Sequence, residues 1–120
     1  MIEPMYSFRI IGVTDEELSK LVGKVPEGVG FRKGRDHKDR DKKLLRIILD
    51  ENTRADSLTC LISDLPERTY RDFLVSVASP QESLVVEVPE YVLSLYREVG
   101  GAFCFSYTCT GFEAEIKGTE

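Results

Sequence analysis

The feature that most constrains the fold is a repeated switch between two apolar spacings. Residues 5–13 alternate apolar and polar side chains, which is the pattern of a strand with one buried face. Residues 58–65 instead place leucine or isoleucine at the spacing of one helix face, and Pro66 follows them. A chain that switches between these periods must build both a sheet and helices that pack on it, so an α+β class is expected.

Five strands and three helices are predicted along the chain. The strands are residues 5–13, 44–49, 73–77, 84–88 and 103–107, and the turn sequence at 79–82 joins the third and fourth as a hairpin. The helices are expected to begin at the capping sequences Thr14–Glu17 and Thr53–Asp56 and at Pro89, and to end near Gly23, Pro66 and Gly100. Residues 23–43 contain four glycines and little periodicity, so we expect a long loop there.

The predicted order of elements is β-α-β-α-β-β-α-β. This order indicates a two-layer sandwich, in which a mixed sheet of about five strands carries three helices mainly on one face. A length of 120 residues suits a single domain, with residues 111–120 as a polar C-terminal tail. No apolar run approaches the ~20 residues of a membrane helix, so a soluble cytoplasmic protein is expected.

The charge is distributed unevenly along the sequence. Residues 32–46 contain eight basic and three acidic side chains, a balance of +5, whereas the rest contains eight basic and eighteen acidic ones, a balance of −10. An acidic body of this kind repels nucleic acid and attracts a basic partner. The basic segment is suited to a phosphate group, an acidic protein or RNA, since arginine offers bidentate contacts and Phe31 could stack on a base.

Three cysteines occur without a Cys-x-x-Cys spacing, which favours reduced thiols. Cys104 and Cys109 lie five residues apart in the last predicted strand, so they should face opposite sides of it about 16 Å apart, too far for a disulfide. Cys60 lies outside the apolar stripe of its predicted helix and is expected to be an exposed structural thiol. The aromatic residues Phe103, Phe105 and Tyr107 are expected to pack in the core.

No catalytic arrangement is evident in the sequence. His37 is the one imidazole, and the charged residues around it predict a solvated loop without a tuned pKa. Neighbouring lysines and arginines oppose a metal ion at Asp36, His37, Asp39 and Asp41. Gly28, Gly30 and Gly34 do not match a phosphate-binding loop. We therefore expect a protein that is not an enzyme and that holds no metal or cofactor.

Several short patterns resemble a family of bacterial proteins defined as a domain of unknown function. Its members begin with a strand that ends in Ile-x-Gly, which Phe8–Gly12 matches here, and an Arg-Lys-Gly triplet opens their basic loop, as Arg32–Gly34 does. The matching features continue with the leucine-striped helix 58–65 and with Val99-Gly100-Gly101 before the last strand. The resemblance implies no established catalytic residue or cofactor.

Three functional hypotheses follow from these observations. The first is a non-enzymatic protein-binding domain of the immunity or antitoxin type, which inhibits a basic toxin through acidic contacts. Five acids on predicted exposed segments are its candidate contacts: Glu27, Asp64, Glu67, Asp72 and Glu90. The alternative is a module that binds a phosphate or small ligand through Arg32, Lys33 and Arg35 in the loop 31–43. A small enzyme that uses His37 or a cysteine is the third hypothesis.

Overall fold

A computed structural model describes residues 4–35, 42–66, 69–80 and 85–109. In chain order the elements are β1 (Met5–Val13), α1 (Asp15–Lys24), β2 (Phe31–Arg35), β3 (Lys43–Ile48), α2 (Ala55–Ile62), β4 (Tyr70–Ser79), α3 (Glu90–Val99) and β5 (Ala102–Cys109). The predicted tail and His37 lie outside the described residues. No described helix is long and apolar enough to cross a membrane.

The strands form one sheet in the order β2-β3-β1-β4-β5. The first four strands pair antiparallel, while β5 pairs with β4 in parallel, so the sheet is mixed. The elements β1 to β4 with α1 and α2 follow a β-α-β-β-α-β succession, which is the ferredoxin-like arrangement. Helix α3 and strand β5 extend this unit on the β4 side.

One face of the sheet carries the helices and the main core. Phe8 of β1 lies between Ile47 of β3 and Phe73 of β4 in the strand register, and all three side chains are buried. They join one apolar cluster with the buried residues of all three helices, such as Leu18, Leu21, Leu58, Leu61, Val92 and Leu95. The predicted class is thereby confirmed: α+β, a mixed five-stranded sheet and three helices on one face.

Local signals explain where most elements begin and end. Helix α1 begins with the predicted capping box, in which Thr14 accepts from the Glu17 N–H and Glu17 accepts from the Thr14 N–H. Helix α3 ends at Val99 before Gly100, as predicted. Helix α2 corrects one prediction, because Arg54 is its N-cap and the Thr53 hydroxyl instead accepts from the N–H of Asp50.

Two predicted segments differ from the structure. Residues 31–35, expected in the loop, form the edge strand β2, which gives no alternating apolar signal because four of its five residues are exposed. The expected hairpin strand is absent from the described residues 85–88, and Val85 is 96% exposed. Both edges of β4 are already occupied by β1 and β5, so no edge remains for that hairpin partner. The observed order is therefore β-α-β-β-α-β-α-β.

Candidate functional site

The three basic residues predicted to form one binding loop do not share a face. Successive side chains on a strand point to opposite sides, so Arg32 of β2 lies on one face of the sheet while Lys33 and Arg35 lie on the helix side. Lys33 borders a shallow depression next to α1 with Asp15 and Val22. The prediction of a single anion-binding loop is therefore wrong, because Arg32 lies on the opposite face of the sheet from Lys33 and Arg35.

Arg32 belongs instead to a row of arginines that crosses three strands. Arg32 lies opposite Arg46 of β3, and Arg46 lies opposite Arg9 of β1. Since neighbouring strands are ~4.8 Å apart, the three Cα atoms span only ~10 Å. We call these three residues the arginine row, and the sheet face that carries them the open face. No described helix packs against this face.

One end of the arginine row is neutralised by a buried carboxylate. Asp72 of β4 lies opposite Arg9, and the two side chains form a bidentate ion pair in which Nε lies 2.8 Å from Oδ1. Asp72 is fully buried, whereas the Arg9 side chain is 19% exposed. These hydrogen bonds raise the pKa of Arg9. No carboxylate of the described residues pairs with Arg46 or Arg32.

Apolar side chains flank the arginine row on both sides. On one side of the arginine row lie Ile11 and Leu44, which are cross-strand neighbours. On its other side lie Ile48 and Leu74, which both neighbour Ser7 of β1. Leu44, Ile11 and Ile48 are only partly buried, and Tyr70, opposite Ile11, is 48% exposed. The open face therefore combines two partly exposed apolar rows with a cationic centre, which is the composition of an interaction surface.

The arginine row should reduce stability, because like charges directly opposite each other repel. Because Asp72 already neutralises Arg9, we expect Arg46→Glu mainly to replace the repulsion between Arg46 and Arg32 with an attraction, and to raise the free energy of unfolding by ~0.5 kcal/mol at low salt. The gain should shrink as salt is added, because added salt screens exposed charges. Denaturant unfolding at low and high salt measures both effects. A variant that is less stable than the wild type at low salt would contradict the assignment of repulsion.

The open face also carries a buried polar group without a partner among the described residues. The Ser7 hydroxyl, two residues from Arg9 on β1, is buried and forms no hydrogen bond with the part of the chain that the structure describes. A buried hydroxyl without a partner costs about 1–3 kcal/mol, so Ser7→Ala should raise the free energy of unfolding by ~1 kcal/mol. Chemical denaturation tests this, with exposed Ser106→Ala as the control that should change little. A loss of stability in Ser7→Ala would show that the hydroxyl has a partner.

The candidate acids are dispersed and mostly engaged. Asp64 pairs with Lys24 at 2.9 Å, which lowers the pKa of Asp64, and Glu90 pairs with Arg97 at 2.9 Å. Glu27 is exposed at the rim of the cavity described below, and Glu67 lies outside the described residues. The prediction that Asp72 contacts a partner protein is wrong, because Asp72 is fully buried in its ion pair with Arg9.

A cavity of about 270 Å³ lies on the helix side, at the start of α2. The loop 26–29, the end of β3 and the first turn of α2 line it, with Arg54, Ser57 and Asp50 among the polar residues. The carboxylate of Asp50 already accepts from the N–H of Asn52 and from the Thr53 hydroxyl. The cavity therefore combines the Arg54 guanidinium and the Ser57 hydroxyl with the exposed carboxylate of Glu27 at its rim.

The cysteines and metal-binding side chains show no arranged chemistry in the described part of the chain. Cys60 is exposed, as expected, and Cys104 is partly buried as a free thiol on the open face. Within the described ranges, no cluster of three histidine, cysteine or acidic residues could hold a metal ion. The expectation that the chain is not an enzyme stays a prediction, since His37 lies outside these ranges.

Comparison with known proteins gives no family for this chain. No family model and no curated protein matches it, so the resemblance to the bacterial domain of unknown function stays a prediction. Among solved structures it is similar to one described as a PII-like signaling protein from Thermus thermophilus, at 12% identity. That alignment covers 63% of this chain and 87% of the other, with a TM-score of 0.36, which is too low to support an inference about function.

Proposed function

We propose that this protein is a non-enzymatic protein-binding domain whose open face receives an acidic segment of a partner protein. One observation carries the proposal: three arginines lie side by side across β2, β3 and β1, and only Arg9 is neutralised by a described carboxylate. Such a row costs stability in the free protein. A partner carboxylate bound to Arg46 and Arg32 would remove that cost, because arginine binds carboxylates through two parallel hydrogen bonds.

The surroundings of the row favour a protein over other anionic partners. Leu44, Ile11 and Ile48 remain partly exposed beside it, and a peptide with apolar side chains next to its acids would cover them. A free phosphate would leave these side chains in water. A nucleic acid would be repelled by the −10 balance outside residues 32–46.

Binding of defined probes tests the proposal. The main probe is a short fluorescent peptide in which glutamate alternates with leucine, and its binding is followed by fluorescence anisotropy. We expect a Kd below ~100 μM at low salt, with weaker binding as salt is added. Arg46→Glu should weaken binding at least tenfold, since two unpaired arginines would lose their contact with the ligand.

A matched variant separates the site from general charge effects. Lys20→Glu makes the same change in net charge on the outer surface of α1, where Lys20 is 74% exposed, and it should leave affinity within about twofold. Equal weakening by both variants would contradict binding at the open face. The same assay with inorganic phosphate, a single-stranded RNA and an oligo-lysine peptide distinguishes the other partner classes.

The oligo-lysine probe also tests the hypothesis of an immunity or antitoxin protein that inhibits a basic toxin. That hypothesis uses acids away from the open face, and Asp64 and Glu90 are each held by a cation of the same chain. It stays a prediction. The phosphate-binding alternative also stays a prediction, and of its three residues only Arg32 lies on the open face. A cytoplasmic location is part of the proposal, because it suits a chain with reduced Cys60 and Cys104.

A further inference from the structure

The two edges of the sheet differ in how they are protected from pairing with another strand. Edge strands expose unpaired N–H and C=O groups, and natural proteins usually protect them by shortness or by charged side chains. Strand β2 at one edge has five residues and carries Arg32, Lys33 and Arg35. Strand β5 at the other edge has eight residues, and none of them is charged. Among the described strands, the edge with charged side chains and the edge without them are thus opposite ends of one sheet.

Aromatic side chains make the β5 edge more suited to association. Phe103 packs edge-on against Tyr96 and so reaches the core, as predicted. Phe105 is 64% exposed and Tyr107 is 42% exposed, which corrects the expectation that both are core residues. Phe105 contacts the ring of Phe103 at a centroid distance of 5.5 Å, so its exposed face continues an ordered aromatic surface.

We propose that β5 pairs antiparallel with β5 of a second copy of this chain, with Phe105 at the twofold axis. The pairing joins the two sheets into one continuous sheet of ten strands through the edge of β5 that no described strand occupies. In this register Phe105 faces Phe105 of the other copy, and Phe103 faces Tyr107. All of these side chains lie on the helix side of both sheets, so their faces match.

Charge favours the β5 edge over the β2 edge for pairing with a second copy. Two copies of β5 bring no like charges together, whereas pairing through β2 would place arginines and lysines opposite each other. Cross-strand aromatic pairs are among the favourable pairs in antiparallel sheets. The contact is small, so we infer a reversible dimer rather than a permanent one. It is independent of the arginine row, which lies on strands at the other side of the sheet.

Sedimentation equilibrium on the full chain under reducing conditions tests the dimer. The wild type should pass from monomer to dimer between about 5 and 200 μM, the range expected for a small interface. Phe105→Lys should weaken the dimer at least tenfold, because it places two ammonium groups at the twofold axis. Val85→Lys, at a side chain that is 96% exposed and outside β5, should dimerise like the wild type.

Two results would overturn the inference. One is a wild type that remains monomeric up to about 200 μM, where even a weak specific interface would associate. The other is a dimer that Phe105→Lys leaves unchanged, which would place the contact elsewhere. Far-ultraviolet circular dichroism confirms that Phe105→Lys is folded, and the exposed position of Phe105 makes a folded variant the expected result. Phe105→Lys should still bind the acidic peptide, so loss of the dimer and loss of peptide binding can be measured independently.

Discussion

Replacing Asp72 with alanine should lower the free energy of unfolding by ~3 kcal/mol, the largest loss we expect from a single polar side chain. Asp72 is fully buried, and its two oxygens accept from Arg9. Its removal leaves a partly buried guanidinium without a counterion, next to the like charge of Arg46. This loss lies at the lower end of the range for breaking a buried ion pair, because the Arg9 side chain is 19% exposed and water can reach it. Chemical denaturation monitored by circular dichroism measures it.

The double variant Arg9→Met, Asp72→Leu separates the pair from its surroundings. It removes both charges and fills the space with apolar side chains, so its stability should return to within ~1 kcal/mol of the wild type. It also leaves Arg46 with one like-charged neighbour in place of two. A double variant as unstable as Asp72→Ala would show that the cost comes from lost packing at Asp72 rather than from the unpaired arginine.

Gly101→Ala should also lower the free energy of unfolding by ~3 kcal/mol, through backbone strain and a steric clash. Gly101 has a φ of +105° in the turn from α3 into β5, and a Cβ there would lie 2.9 Å from the Arg71 carbonyl oxygen. That atom belongs to the backbone of β4, so it cannot rotate away as a side chain could. Thermal and denaturant unfolding both report the loss.

Gly28→Ala is the matched control for this clash. Gly28 has a similar positive φ of +85°, but no atom lies within 4 Å of a Cβ built there. Its loss should therefore be ~1 kcal/mol, the cost of the backbone conformation alone. Equal losses in Gly28→Ala and Gly101→Ala would mean that the contact with Arg71 relaxes at no cost.

Elements with local signals could be predicted from the sequence, and those that depend on distant partners could not. The capping box of Thr14 and Glu17 is formed within three residues, and the start of α1 was predicted from it. Strand β2 is different, because its exposed residues give no apolar period and only pairing with β3 defines it. The segment 84–88 has a strand-like composition, but no free edge of β4 remains for it.

The candidate site shows the same limit. The sequence suggests a surface acid at Asp72, because its partner Arg9 lies 63 residues away. The arginine row requires two strand registers to be known at once, β1 with β3 and β2 with β3. Arg46 interrupts the apolar run of β3. This interruption was the one sequence signal that β3 carries a charged side chain on the open face. Neither spacing nor composition could place Arg32 next to it.

The most direct test of the arginine row as a binding surface is a nuclear magnetic resonance titration with the peptide of alternating glutamate and leucine. The Nε–Hε signals of Arg46 and Arg32 and the methyl signals of Ile11, Leu44 and Ile48 should shift together. Methyl signals on the helix side, such as those of Leu18 and Leu61, should stay in place, because these side chains are buried behind the sheet. Shifts confined to the helix side, or signals of the arginine row that do not move at saturation, would contradict the proposed site.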